Sequence, residues 1–290
     1  MNWIKYRYLY FTISGIVIFS GIFSLLKWGI NFGVEFRGGT LVEYKIQNET
    51  SVPIINTIVE KNGLQLVSLQ KTETGSVLLK MGEVSPAQRV LLKAHIEEVG
   101  GTTEELRFEA VGPTVGRELI KKTIYGLILA TSAILFWVAI QFNSFKFGVS
   151  AVLAMLHDSL VTIGLYSIIA HFYGAEIDLL FVTALLTILS FSVHDTIVLY
   201  DRIRELKRKS SEDLKTLANE AISETMVRSL NNSFVVVIMM VALLLLGGST
   251  IRWFIATLLI GTITGAYSSP FVAVPILVTW DELQKKYKKS

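Results

Sequence analysis

Two aspartates stand where acid groups are hardest to keep. Asp195 lies in Leu179–Tyr200, twenty-two residues with neither lysine nor arginine, enough for a helix through a ~30 Å hydrocarbon layer. Asp158 lies close to the middle of a second apolar run, Phe147–Ala170. A charged side chain inside a membrane costs at least ~2.5–3.5 kcal/mol on insertion scales, so such a group is kept for a purpose or held uncharged. No lysine or arginine occurs between Lys146 and Arg202, which leaves neither carboxyl a fixed cation on its own or the neighbouring membrane helix. Burial without a counter-charge favours the protonated form, because the ion loses its hydration. Each is then expected to ionise only when water or a partner reaches it, the behaviour a proton relay requires. The competing reading makes each Asp a hydrogen-bonding link to an adjacent helix.

His157 and His194 each immediately precede one of these acids. Adjacent residues on a helix point about 100° apart, so His194 and Asp195 are expected to be poor direct partners that could both line one water-filled seam. A neutral histidine bonded across a helix interface is the alternative. If the Asp195 helix continues past Tyr200, Val198 and Arg202 share its face, with Arg202 about 10 Å along the axis. There it would suit the mouth of a proton path or a lipid phosphate. The alternative is an interfacial, solvated Asp201–Glu205 segment with Arg204 pairing locally. The relay set is thus Asp195, Asp158, His194 and Arg202. Gly261, Gly265 and Ser269 recur every four residues, the small-residue spacing that lets membrane helices approach closely. No metal is expected, since neither acid-bearing run shows histidines at i, i+4, and no cofactor. The glycines of Phe32–Thr40 lack a Gly-Lys-Ser/Thr ending and suit a tight turn better than a phosphate loop. No Ser-His-Asp or Cys-His set is suggested, so an enzyme is not expected.

The elements that position these residues follow from composition. Half the residues are apolar, yet 18% are charged. Trp28–Lys122 holds eleven Lys/Arg and twelve Asp/Glu, which marks a water-exposed part set into a membrane protein. A net charge of +3 carries no nucleic-acid signal, and the absence of cysteine excludes disulfides. Six apolar runs are expected to cross the membrane: Tyr8–Leu26, Thr123–Ile140, Phe147–Ala170, Leu179–Tyr200, Leu230–Gly248 and Trp253–Trp280, the last long enough to tilt or to break at Ser268-Ser269-Pro270. The first is too long for a signal-peptide core and lacks a cleavage-type site after it. Between the first and second runs the pattern reads strand Thr40–Ile46, helix Ser51–Lys61, strands Leu64–Lys71 and Ser76–Met81 around a turn at Thr74-Gly75, helix Ser85–Val99 and strand Glu104–Val111. That β-α-β-β-α-β order is the split βαβ of ferredoxin-like domains. Val111–Leu119 leads out of it, with a helix start near Thr114.

The expected fold is therefore an α-helical integral membrane protein, six transmembrane helices with a ferredoxin-like α+β extracytoplasmic domain between helices 1 and 2. Its parts are residues 1–27, 28–122 (the outer domain), 123–280 (the remaining five helices) and 281–290 (a basic cytoplasmic tail). Lys5, Arg7, Lys146, the seven Lys/Arg between Asp201 and Ser229 and the terminal lysines fall on one side, which makes both termini cytoplasmic by the positive-inside rule.

Five strings then resemble the SecF family of the bacterial Sec protein-export machinery: FGVEFRGGT (32–40), VGPTVGREL (111–119), LHDSLVTIGLYS (156–167), SFSVHDTIVLYDRIRE (190–205) and GTITGAYSSPFVAVP (261–275). They span nearly the whole chain in the family's order. The resemblance implies membership of the resistance-nodulation-division superfamily, a plasma-membrane location, SecD as partner and the SecYEG channel as the machine served. It also implies that proton flow through intramembrane carboxylates moves the outer domain and helps a translocating polypeptide leave on the far side. The resemblance puts Asn before the Asp of the fourth helix, where this chain has His194; the coupling ion, H⁺ or Na⁺, is left open. Half of a small-molecule exporter and a passive scaffold are the competing functions.

Overall fold

The computed structural model describes residues 2–48, 51–72, 75–142 and 144–289. A 3₁₀ turn at Trp3–Tyr6 leads into α1 (Arg7–Trp28), α2 (Val34–Arg37), β1 (Gly39–Ile46), α3 (Val52–Lys61), β2 (Leu66–Lys71), β3 (Val77–Met81), α4 (Pro86–Gly100) and β4 (Thr103–Val111). Helices α5 (Pro113–Phe142), α6 (Phe145–Tyr173), α7 (Leu179–Lys209), α8 (Leu214–Leu246) and α9 (Ser249–Ser268) follow, and a π turn at Ser269–Ala273 joins α9 to α10 (Val274–Lys289). The chain divides into two compact units. One holds residues 32–125 with 177–179, the other 1–31, 126–176 and 180–290.

In the smaller unit the four strands are ordered β2-β3-β1-β4 and every neighbouring pair is antiparallel. Val42, Tyr44, Leu79 and Met81 bury one sheet face against Ile55, Ile58 and Val59 of α3 and Leu92 and Ile96 of α4. Helix α4 begins as its sequence dictates. Ser85 and Gln88 form a reciprocal capping box, Pro86 fills the first turn, and Gly101 at φ +76° ends it. Of the expected β2–β3 turn, Thr74 lies outside the described residues, while Gly75 has φ +79°. One short element was not expected, the single helical turn α2.

The glycines of Phe32–Thr40 have a packing reason as well as a turn. Gly38 and Gly39 have φ of +80° and +134°, which side chains other than hydrogen rarely tolerate. A Cβ on Gly38 would lie 2.8 Å from the Cα of Pro113, and one on Gly116 would lie 2.6 Å from the carbonyl oxygen of Phe36. The two strings 32–40 and 111–119 are therefore one feature, a backbone-to-backbone seat at the exit of the sheet. Gly33 adds a third segment by donating its N–H to the carbonyl of Ile177 at 2.9 Å.

Tyr44 is fully buried and its hydroxyl has no hydrogen-bond partner. Burial first, then the neighbouring Glu105 carboxylate, pushes its ionisation up to about 12. The folded value lies above the ~10 of an unfolded chain. The unit therefore keeps its full stability below pH ~10 and loses part of it as pH rises through about 12. Tyr44→Phe should remove that alkaline loss and, by deleting an unsatisfied buried hydroxyl, gain about 1 kcal/mol at neutral pH. Melting curves of the sheet amide band at neutral and alkaline pH test both effects.

Six helical spans among the described residues are long and apolar enough to cross a membrane: Trp3–Trp28, Pro113–Phe142, Phe145–Tyr173, Leu179–Lys209, Leu214–Leu246 and Ile251–Tyr287. The chain is a multi-pass membrane protein, and side chains such as Phe19, Leu129 and Leu246 stand exposed as lipid-facing groups do. The helices overrun their apolar runs, because a helix needs lipid on only part of its length. Thus α7 continues nine residues past Tyr200 to Lys209, and α8 begins at Leu214 with Asp213 accepting from the N–H of Thr216 at 3.2 Å. The sixth run does not break at Ser268-Ser269-Pro270. It widens into the π turn, where Val274 N–H bonds the Ser269 carbonyl and Pro270, lacking an N–H, is accommodated. The segment 281–290, expected to be a tail, is helical to Lys289 and fixed by Asp281 to Lys146 at 2.5 Å and Glu282 to Arg7 at 2.6 Å.

Below the acid-bearing level the bundle has a dry core around Tyr200. Its ring meets Phe142 and Phe147 edge-on, at 5.8 and 5.0 Å between centroids. Its hydroxyl reaches Ser150 Oγ at 2.7 Å and donates to the Ala273 carbonyl at 3.3 Å, so α5, α6, α7 and the π turn meet at one fully satisfied phenol.

Candidate functional site: two intramembrane acids

Asp158 is fully buried where α6, α7 and α9 meet. Its Oδ2 accepts from Ser192 Oγ of α7 at 2.5 Å and from Ser268 Oγ of α9 at 2.7 Å, and its Oδ1 lies 2.9 Å from His157 Nδ1. Beneath it the Ser192 carbonyl accepts from Thr196 Oγ1 at 3.0 Å and Ser269 Oγ at 3.3 Å, and those two hydroxyls are 2.9 Å apart. The hydroxyls make a continuous polar seam between α7 and α9 with Asp158 at one end. Adjacent His and Asp do become partners here, against the ~100° argument, because the reach from Cβ to Nδ1 and to the carboxylate is enough to close the gap.

Asp195 occupies a different setting on α7. Its Oδ2 accepts from Ser229 Oγ of α8 at 3.2 Å, and His194 Nδ1 is 3.8 Å from Oδ1, beyond hydrogen-bond distance. Its side chain keeps 29% exposure and that of His194 76%. Both residues line two cavities between α7, α8 and α9. One, of about 260 Å³, is bounded by Thr225, Arg228, Ser229, Asn232 and Pro270. The other, of about 220 Å³, is bounded by Ser192, Asn232, Ser233, Gly261 and Gly265. Ser192, itself buried, is bonded to Asp158 and also lines the Asp195 cavity. Among the described residues no hydrogen bond or ion pair joins Asp158 to Asp195 directly.

Arg228 shares a cavity lining with Asp195, an acid that the sequence leaves without a fixed cation. The sequence places it outside the apolar run that starts at Leu230, but α8 begins sixteen residues before that run, and Arg228 lines the Asp195 cavity. No ion pair joins the two among the described residues. Its signal in the sequence is the polar string RSLNNS (228–233) at the head of an apolar run. Ser192, Ser229 and Ser268 were missed for a different reason: nothing in a sequence says which serines of an apolar helix face a neighbour's acid.

The structure does not bring Arg202 to Asp195. Its Nε holds Glu224 of α8 and its Nη1 holds Glu205, each at 2.5 Å, and Lys209 completes the group on Glu205 at 2.6 Å. Among the described residues Arg204 has no acid partner, and it donates to the carbonyl of Gln141 at 2.9 Å.

The small-residue row of the sixth span faces α7 of the same chain. A Cβ on Gly261 would fall 2.2 Å from Ile188 Cδ1, and one on Gly265 would be 3.4 Å from Ser192 Cβ, while Ser269 Oγ reaches Thr196. Residues 188, 192 and 196 repeat every four on α7 just as 261, 265 and 269 do on their span, so two matching rows meet in register.

With this geometry in view, comparisons with known proteins are consistent across most of the length. Residues 91–283 match the family model for the protein export membrane protein SecD/SecF, C-terminal, and residues 23–49 match the SecD/SecF GG motif. The chain is 37% identical, over 96% of its length, to the protein translocase subunit SecF of Thermobaculum terrenum, of which it covers 93%. It is 35% identical, over 97% of its length, to the subunit of the same name from Anaerolinea thermophila, of which it covers 94%. Among solved structures it is similar to SecDF, a translocon-associated membrane protein from Thermus thermophilus, with a TM-score of 0.85 and 27% identity, covering 97% of this chain and 39% of that one. SecDF in a super-membrane-facing form gives a TM-score of 0.71 at 27% identity, covering 100% of this chain and 40% of that one. The chain spans about two fifths of the SecDF chains it matches. From the small sheet with its double-glycine seat to the two acid-bearing helices, the chain belongs to the SecD/SecF family of protein-export membrane proteins.

Proposed function

We propose that the chain is a non-enzymatic accessory subunit of the Sec export machinery, which uses proton flow at Asp195 and Asp158 to promote polypeptide translocation together with SecD and the SecYEG channel. The observation that carries this reading is the pair of cavities that border Asp195 between α7, α8 and α9. Water entering them lets Asp195 release its proton, and Arg228 offers the resulting carboxylate a positive charge. Drying or reprotonation withdraws that attraction, so α7 and α8 gain and lose an interaction with each proton passed. His194 lines the same space and takes part as a second proton acceptor. In this reading the strand order β2-β3-β1-β4 makes the smaller unit a ferredoxin-like domain, residues 28–122 lie outside the plasma membrane, both termini are cytoplasmic, and the outer domain moves as the acids cycle.

Half of a small-molecule exporter is the second reading, supported by the same acids and cavities. Vesicles carrying SecYEG with and without this chain and SecD separate the two. Export of a secretory polypeptide should rise on imposing a proton gradient only when the chain is present. An unchanged export rate together with gradient-driven drug movement by the chain alone would replace the export role with the pump.

A further inference from the structure

Asp158 has no access to solvent, and Ser192 and Ser268 both hold the same oxygen, Oδ2. A hydroxyl donating there passes a proton only by surrendering its own. On Oδ1 the partner is His157 Nδ1 at 2.9 Å, and the other ring nitrogen, Nε2, is buried without a hydrogen-bond partner although the side chain is only 8% exposed. An unpartnered nitrogen on a buried ring is uncommon and calls for a role. The ring also stands beside Tyr267 of α9, at 6.4 Å between centroids. The Tyr267 hydroxyl donates to the Tyr10 carbonyl at 3.0 Å and accepts from Ser14 Oγ at 3.5 Å. Asp158 is thus the titratable group bonded to His157, with Tyr267 its aromatic neighbour, and Tyr267 in turn bonds α1.

We infer that His157 is the proton port of Asp158: the acid exchanges its proton through the imidazole, entering and leaving at Nε2, and not through the Asp195 cavity. In the neutral pair Asp158 donates from Oδ1 to Nδ1 and Nε2 carries a hydrogen. On release, a local opening at the ring, whose edge is 8% exposed, admits a water molecule to Nε2; the Nε2–H bond breaks as that proton passes to the water, the Oδ1–H bond breaks, and a new Nδ1–H bond forms. The products are a hydronium ion, an ionised Asp158 held by Nδ1–H and two serines, and an imidazole bare at Nε2. Uptake is the reverse. No water needs to touch the carboxylate, so an acid sealed from solvent can exchange by this route. The two acids of the bundle then have separate doors, Asp195 through its cavities and Asp158 through His157.

This inference rests on Asp158 taking part in proton flow, and its test reads exchange rather than export. The full chain in lipid vesicles is transferred from H₂O to D₂O while the infrared carboxyl bands are followed between about pH 5 and pH 8, with Asp158 assigned by loss of its band in Asp158→Asn. In His157→Phe and in the milder His157→Gln, which keeps a polar contact but has no second ring nitrogen, exchange of the Asp158 band should slow about a hundredfold. The Asp195 band should exchange at its original rate in both, which also reports an intact bundle. An Asp158 band that exchanges at the wild-type rate in both variants, or that is absent across that range, overturns the inference. The wider proposal fails separately, if a proton gradient still stimulates export in Asp195→Asn.

Discussion

Replacing Asp195 by Asn is expected to abolish the response of export to a proton gradient while leaving the protein folded and assembled. The amide has the size of the acid and still accepts the Ser229 hydroxyl that lies 3.2 Å from Oδ2. The site is a cavity wall and not sealed core, so the change in stability should stay within about 0.5 kcal/mol. What the amide lacks is a proton to release at working pH, and with it the charge that could draw on Arg228. Export with the gradient applied should therefore fall to the rate measured without it, and export driven without the gradient should not change. Translocation of a labelled secretory polypeptide into vesicles, with and without the gradient, reads this directly, and co-purification with SecD checks assembly. Full stimulation by the variant would count decisively against a relay at this residue.

The second large effect is structural and separates two kinds of close approach. At the crossing of α1 and α6, a Cβ on Gly164 would lie 2.6 Å from the Cα of Gly21, and one on Gly21 the same distance from the Cα of Gly164. Backbone cannot swing aside, so Gly164→Ala must part the helices. It would loosen the buried Ser24–Ser167 hydrogen bond of 2.9 Å beside the crossing. Overpacking of this kind costs about 1–3 kcal/mol, and no side-chain truncation at the crossing should restore it. Gly261→Ala meets only the side chain of Ile188. The clash should be relieved in the double variant Gly261→Ala/Ile188→Ala, where the new methyl fills part of the space left by three carbons of buried Ile188. Gly126→Ala, on α5 with open space around its Cα, serves as the neutral control. Thermal unfolding in detergent measures all four proteins. Equal losses at Gly126 and Gly164 would refute the backbone crossing.

Much of the architecture was legible before any contact was known, because its signals are local. Apolar length announces a membrane span, and alternation with punctuating glycines announces the strands. The pattern of β1-α3-β2-β3-α4-β4 could be read residue by residue to within a few positions, down to the Ser85 cap. Helix ends were less legible. Polar residues that follow an apolar run are as compatible with a loop as with continued helix, and for that reason Arg228 was counted with a loop although it faces the Asp195 cavity. The same ambiguity hid the first half of α8 and the helical end of α10.

The sequence by itself determined that two acids would be carried into an apolar layer, that small residues would recur every four on the last span, and which family's strings these are. The difference between the acids belongs to the tertiary structure alone. Asp158 is sealed by His157, Ser192 and Ser268 while Asp195 borders open space, although each is an aspartate preceded by histidine in an apolar run. Periodicity gives the face of a helix but not what stands opposite that face. Hydration, which decides whether a carboxyl can exchange a proton, depends on the neighbour. Here α9 packs against α7 through Gly261 and Gly265 and closes over one acid, while cavities between α7, α8 and α9 border the other.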